Sequence, residues 1–305
     1  MEHLQFIIIL LFSPLVQGLI KKLKALIQGR KGPSVFQTYY DLLRLFKKEM
    51  VISETASWIF RASPYIVFGS VLCAAMIVPV ISVNSEGWIM SDVIALIYIL
   101  ALGRFFMALS GLDTGTAFGG EGSSREMTVA IMVEPMIMLS IFTAAIAAGS
   151  TNLSRIAETH AIVYSPSHIL AMSAFIVAII AETGRIPVDN PDTHLELTMI
   201  HEGMLLEYSG RYLALMEWAH YIKQMLLFTV AINIFAPFGI AKTGSITDIA
   251  MSMLIYAGKI ILFAALMAVI ESSRAKLRFF QLSSLLGGAF ILSVLAFLLY
   301  IMMGK

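Results

Sequence analysis

From Ala181 the chain reads Ala-Glu-Thr-Gly-Arg-Ile-Pro-Val-Asp-Asn-Pro-Asp-Thr-His-Leu-Glu, and a little further on Glu207-Tyr-Ser-Gly. Six carboxylates, Glu182, Asp189, Asp192, Glu196, Glu202 and Glu207, crowd into this stretch, while the sequence around it is almost wholly apolar. A membrane protein concentrates acids where protons or ions are handled, or where a charged partner docks. The plainer reading is a solvated loop kept wet by its charges. The local sequence favours order: Pro187 and Pro191 stiffen the backbone, and Thr193 with Glu196 has the pattern of a capping box that would start a helix. On that helix Glu196, Gly203 and Glu207 would share one face.

Other charges interrupt the apolar runs themselves. Glu134 precedes Pro135, which removes a backbone donor and predicts a kink. Glu217, His220 and Gln224 fall on one helical stripe, with Lys223 on an adjacent face; Arg104 and Lys259 lie inside apolar runs, and Glu271 ends one. A charge in hydrocarbon costs several kcal/mol unless it is paired or hydrated. Two roles meet that cost: mutual neutralisation between helices, or a hydrated relay of titratable groups. Both require inward-facing side chains, so the pattern leaves the two open. His194, His201 and His220 lack the spacing of a metal site. Gly111, Gly115, Gly119, Gly120 and Gly122 predict a flexible loop without the Lys-Ser/Thr of a phosphate cradle. With no nucleophile–base set in the sequence, the expectation is a subunit that is not itself catalytic and binds no metal.

The composition places these residues in a membrane. The chain is 58% hydrophobic and 13% charged, with a net charge of +1 that gives no basic surface for nucleic acid. Cys73 is the single cysteine, too few thiolates for an iron–sulfur or nickel–iron centre. Apolar runs near 4–27, 60–82, 92–112, 126–148, 165–182, 212–238, 249–271 and 281–303 are each long enough to span a bilayer. They predict an all-α polytopic membrane protein: one integral-membrane domain over 1–305, about eight transmembrane helices and short amphipathic cytoplasmic helices. The first run is followed, not preceded, by its basic residues, so it reads as a retained span and not a cleaved signal. Most Lys and Arg fall in the 28–59, 113–125, 183–211 and 272–280 connections, or close by at the ends of the spans. The positive-inside rule therefore puts those connections in the cytoplasm and both termini outside. Ser34 with Gln37 predicts a short interfacial helix over 35–48 with Val35, Tyr39, Leu42 and Phe46 as its apolar stripe. Ser123 with Glu126 has the spacing of a cap for the fourth span. There is no internal repeat of the kind secondary transporters carry.

The acidic segment resembles the signature of the membrane-embedded, quinone-site subunit of respiratory complex I: Glu182-Thr183-Gly184-Arg185, Pro187, Asp189, Pro191, Asp192, Glu196-Leu197 and Glu207-Tyr208-Ser209 fill the family's places. Arg30, Gly32-Pro33, Gln37, Asp41, Leu42 and Lys48-Glu49 match its first cytoplasmic loop. A second Gly-Pro is absent, Thr38 stands after Gln37, His194 occupies a place usually held by an acid, and the stretch before Glu207 is longer. With Leu112-Asp113-Thr114-Gly115, the Gly122-to-Thr128 segment and Thr193-to-Met199, these departures are similar to the homologous membrane subunits of group-four nickel–iron hydrogenases. The resemblance implies a subunit of a prokaryotic inner-membrane complex that holds no cofactor. The nickel–iron centre and iron–sulfur clusters would belong to a peripheral large subunit and an iron–sulfur subunit, and antiporter-like subunits would pack beside it in the bilayer. In that setting Glu134, Glu182, Asp189, Asp192, Glu196, Glu207, Glu217, Lys223 and Lys259 are the expected ion-coupling groups. Gln37, Asp41, Arg125 and Arg185 are expected to dock the peripheral arm. The alternatives are a quinone-binding subunit of an NADH dehydrogenase-like complex, a stand-alone ion transporter, and a structural anchor, which would need no charges within its spans.

Overall fold

The computed structural model describes residues 2–81, 91–158, 165–189, 199–241 and 245–303. In chain order its helices are α1 (Glu2–Ile27), α2 (Gln37–Lys47), α3 (Trp58–Ile77), α4 (Val93–Asp113), α5 (Ala117–Ala148), α6 (Leu153–Glu158), α7 (Pro166–Glu182), α8 (His201–Leu205), α9 (Gly210–Phe235), α10 (Ile246–Ser273) and α11 (Phe279–Met303). Among the described residues there is no strand beyond one isolated bridge between Asp92 and Asn152. The all-helical expectation therefore holds.

Six helices, α1, α3, α4, α5, α10 and α11, are long and apolar enough to cross a membrane. The other two long helices differ from these for physical reasons. α7 is apolar but only 17 residues long. α9 has 26 residues but carries Glu217, His220, Lys223, Gln224 and Asn233. Such a helix cannot face hydrocarbon, and it does not: every residue from Gln224 to Phe235 is buried. α9 packs against α1, α2, α3 and α7, while α4 bridges α3 and α5, and α11 closes over α5 and α7. At the periphery α10 and α11 present Leu254, Leu262 and Met302, each more than 70% exposed, as a lipid-like surface.

The connections gather at two opposite ends of the bundle. At the end that holds most of the basic residues, the carboxylate of Asp113 accepts from Ser57 N (2.8 Å), Ser57 Oγ (2.6 Å) and Phe60 N (3.3 Å). It thus caps the N-terminus of α3, with Gly115 at φ +67° making the turn beyond α4. Tyr208 stacks on Phe60 at 4.0 Å and donates to the Phe60 carbonyl. At the other end Gln5 Oε1 accepts from Val80 N and Ile81 N, and Asn233 donates to the Pro79 carbonyl.

Several local expectations need correcting. α2 starts at Gln37 with Phe36 at its N-cap and no side-chain cap bond, so Ser34 and Gln37 form no capping box. Thr38 and Leu42 are its buried residues; of the predicted apolar stripe only Leu42 is buried, while Tyr39 and Phe46 are partly exposed and Val35 precedes the helix. α5 starts nine residues earlier than expected: Thr116 caps it by accepting from Gly119 N. Ser123 therefore sits inside the helix, donating to the Ala108 and Gly119 carbonyls. The glycines expected to form a loop are mostly helical. A Cβ on Gly119 would lie 2.4 Å from the Gly111 carbonyl oxygen, and one on Gly122 2.9 Å from that of Ile200, so they let backbones touch. α5 also continues through Pro135 as one helix. The helix near the acidic segment is the five-residue α8, so Glu207 falls beyond its end. Thr193 and Glu196 lie outside the described residues.

The closest approach of α1 to the α2 segment is at Gly18, where an added Cβ would meet the Val35 carbonyl oxygen at 2.0 Å. We expect Gly18→Ala to lower stability by about 1–3 kcal/mol, as overpacking does. Gly120→Ala, whose methyl would enter open space, should be neutral or slightly stabilising. Thermal unfolding in detergent compares them, and equal midpoints would refute the contact.

Candidate functional site

The site begins with how α7 ends. Thr183 N and Arg185 N bond back to the Ile179 and Ile180 carbonyls while Gly184 takes φ +52°, a left-handed C-terminal turn that a side chain would strain. The turn lets Glu182 and Arg185, close neighbours in sequence, both point into the bundle; they are 7% and 3% exposed. Two buried charge networks grow from them.

The first centres on Arg104 of α4. Its Nη1 donates to Glu134 of α5 at 2.6 Å, its Nη2 donates to Glu182, and its Nε lies 3.7 Å from Glu126 Oε1. Lys223 of α9 reaches the same Glu182 oxygen at 2.9 Å. Three acids and two bases from four helices thus share one interior volume. Glu126 and Glu182 are enclosed, but the Glu134 side chain is 38% exposed, so the network reaches the outer surface of the bundle. The second network centres on Arg185, which donates to Glu271 of α10 at 2.6 Å, to Gln224 of α9 at 2.6 Å and to Gln17 of α1. Lys24 lies 3.3 Å from Glu271.

Asp189 folds the connection between the networks. It is 2% exposed, accepts from Ile200 N and His201 N at 3.1 Å each, and pairs with Lys276 at 2.6 Å. It thereby holds the start of α8 against the α10–α11 connection. His201 then faces His220 with ring centroids 4.7 Å apart. Burial, and after it the nearby Lys223 ammonium, push the His201 imidazole down to about 4, so it is neutral at pH 7. A cavity of about 280 Å³ opens beside these rings between α1, α2 and α9, and Asp41, Glu202, Glu217 and Lys21 lie on its wall.

The sequence-derived residues sort accordingly. Glu134, Glu182 and Lys223 come together, and the Arg104–Glu134 and Lys223–Glu182 pairs supply the expected neutralisation. Glu217 lies on the cavity wall and makes no ion pair among the described residues, and Glu207 sits in the turn before α9 outside both networks. Lys259 is elsewhere: it donates to the Ala236 (2.7 Å) and Phe238 carbonyls and lies over the Phe238 ring, satisfying the C-terminal end of α9. That placement corrects its grouping with the ion-coupling residues. Asp192, His194 and Glu196 lie outside the described residues. Among the docking residues, Gln37 donates to Asp41 across one turn of α2, and Arg125 donates to the Met199 carbonyl and to Glu121. Arg185 is a correction, since its buried guanidinium is committed to Glu271, Gln17 and Gln224 and presents nothing to a docking surface. Arg104 carries more than either role expected of it, because a lone Arg deep in an apolar run demands several acceptors. Glu126, expected as a cap, faces it instead, and the polar Gln17 of α1 joins the second network with no expectation from its sequence context.

Removing one partner from a buried pair strands the other charge and costs about 3–5 kcal/mol. We expect Arg104→Gln to destabilise the chain by that order, and Arg104→Gln combined with Glu182→Gln to recover part of the loss. Unfolding midpoints in detergent test this; a double variant no more stable than the single would show that the pairing does not set stability.

Comparison with known proteins agrees with this architecture. The family model described as NADH dehydrogenase matches residues 1–302. The chain is 37% identical over 299 residues to hydrogenase-4 component C of Escherichia coli K12, covering 97% of this chain and 94% of that one. It is 34% identical over 281 residues to formate hydrogenlyase subunit 4 of the same strain, covering 90% of each. A chain in the structure of the membrane-bound sulfane sulfur reductase, an archaeal respiratory membrane complex, shares the fold. Its TM-score is 0.78 over 98% of this chain and 99% of that one, at 16% identity. With its helical bundle, its acidic segment and a family match over nearly its whole length, the chain belongs to the NADH dehydrogenase family, of the membrane-embedded subunit 1 type.

Proposed function

We propose that this multi-pass membrane protein is the membrane-anchor and coupling subunit of a group-four nickel–iron hydrogenase-type complex. It docks a peripheral redox arm and passes the electrostatic effect of electron transfer into neighbouring membrane subunits as proton or sodium movement. Its full-length likeness to hydrogenase-4 component C and formate hydrogenlyase subunit 4 supports the assignment to such a complex. The observation that carries the coupling role is the run of paired charges Lys223, Glu182, Arg104 and Glu134, which ends at the outer surface and is separated from the 280 Å³ cavity by His220. A half-exposed carboxylate on a span is costly against lipid. It suits a face covered by another membrane subunit, such as an antiporter-like chain. The nickel–iron centre and iron–sulfur clusters are assigned to the large and iron–sulfur subunits of the arm, which would rest on the α2 face bearing Gln37 and Asp41 and on the surface around Arg125.

A quinone pocket is the competing reading, and the 280 Å³ cavity is what favours it. Ligand pockets for such molecules are lined mainly by apolar and aromatic groups. This cavity has Leu42, Leu45, Leu213 and Tyr221 on its wall, but five charged groups, Asp41, Glu202, Glu217, Lys21 and Arg185, stand among them, chemistry suited to water and ions. The end of the bundle that holds most Lys and Arg is assigned to the cytoplasm by the positive-inside rule, with both termini outside.

Two experiments test this reading. Topology reporters fused at Gly203 and at Ser245 should report opposite sides of the inner membrane, and identical readouts would overturn the orientation. In assembled complex, Glu134→Gln and Glu182→Gln keep side-chain size and hydrogen bonding but remove titration. Hydrogen turnover should persist or slow moderately while ions translocated per electron fall. An unchanged ratio in both variants would reduce these acids to structural pairing.

A further inference from the structure

Three cavities lie in sequence through the charged interior. The 280 Å³ cavity at the basic end and a second of about 30 Å³ share a single lining residue, His220 of α9. The second, walled also by His201, Lys223 and Arg104, shares Leu100 and Arg104 with a third of about 20 Å³ that touches Glu134 and Glu182. Each of the two small ones exceeds the roughly 10–15 Å³ that one water requires, and within mostly apolar walls each holds polar groups that a water could bond: His201, His220, Lys223 and Arg104 in the second, Arg104, Glu134 and Glu182 in the third. Three buried polar atoms without a hydrogen-bond partner flank this line: His220 Nδ1, Gln224 Nε2 one turn further along α9, and Arg104 Nε. Buried polar groups are rarely left unpaired unless water or a moving proton serves them.

We propose that His220 is the proton-relay residue between the large cavity and the interior carboxylates, with His201 as its positioning partner. The inference rests on the coupling role argued above and adds to it the group through which protons enter. The imidazole takes a proton at one ring nitrogen from cavity water and releases the proton of the other nitrogen to water in the 30 Å³ cavity. That proton passes on to the Glu182 and Glu134 carboxylates. One proton enters and one leaves per passage, no electrons move, and a return of the ring to its first tautomer resets the relay. An imidazole suits this position because it is both donor and acceptor when neutral. Glu217 and Tyr221 from the same helix, Glu202 from α8 and Lys21 from α1 flank the entrance, so its hydration is built from groups on three helices.

Chemical rescue in the assembled complex tests the relay. In inverted membrane vesicles His220→Ala should lower the rate of ion translocation per electron by about tenfold or more, given what positioned proton transfer contributes. Added imidazole, small enough to enter the cavity, should restore most of it. Pyrazole, a ring of the same size that stays unprotonated at neutral pH, should not. Rescue by both rings alike would mean that the residue only fills space, and an unaffected His220→Ala would also overturn the proposal. Should Glu134→Gln lower the ratio while His220→Ala does not, the relay falls and the coupling reading stands; should neither variant lower it, both fall. Because His220→Ala could fail to assemble, His220→Cys in a Cys73→Ser background provides a second measurement. A water-soluble thiol reagent should label it from the basic end of the bundle, and absence of labelling would close the route.

Discussion

Burying a guanidinium in an apolar bundle is the constraint on which the rest of this structure depends. Arg104 sits well inside α4 with 4% of its side chain exposed. It cannot shed its proton, so its charge must be balanced and its donors largely met by groups within the bundle. The acceptors come from α5 and from the end of α7, and Lys223 of α9 balances the excess of acid. Four helices packed mainly by non-directional apolar contact are thereby fixed in rotation and in depth. The left-handed turn at Gly184 serves the same interior, because α7 delivers Glu182 to Arg104 and the turn after it swings Arg185 toward Glu271.

The two arginines divide the interior. Arg185 ties α1, α9 and α10 together through Gln17, Gln224 and Glu271, and every one of those partners is at most 7% exposed. A network of such committed bonds specifies geometry, even though Arg185 and Gln17 also touch the large cavity. The Arg104 network reaches the outer surface through Glu134 and, through Lys223, the 30 Å³ cavity that His220 joins to the larger one. An open network of titratable groups is one whose charge state can answer to events outside the chain. The contrast between a cluster committed to holding helices and one that reaches the outer surface is the physical basis of the proposed coupling role.

The match to the sulfane sulfur reductase chain, at 16% identity and a TM-score of 0.78, shows how little of the sequence the bundle itself requires. Apolar exchange at the core is tolerated as long as volume and pattern persist. The function therefore has to be argued from the site and not from the fold.

Much of this was legible in the residues. Hydropathy located the eight long helices because a span must satisfy its backbone internally and present an apolar surface, and both demands are written locally. The acidic segment announced itself by contrast with its surroundings, and the uneven placement of Lys and Arg separated the two ends. Pairing was not legible. Helical periodicity gives the relative angle of Glu217, His220 and Gln224 but not the direction in which α9 is turned, which its neighbours decide. That is why Lys259, mid-helix like Lys223, meets the carbonyls ending α9, while Lys223 meets Glu182. The glycines before Arg125 read as a loop because glycine weakens isolated helices. Only the approach of α4 and α8 at backbone distance makes a helix there, and no local signal encodes that approach. Arg185 looked like a docking charge because it follows a span. The sequence determined that a charge must sit at that depth, and the tertiary structure decided that it points inward, since only there are Glu271, Gln17 and Gln224 within reach.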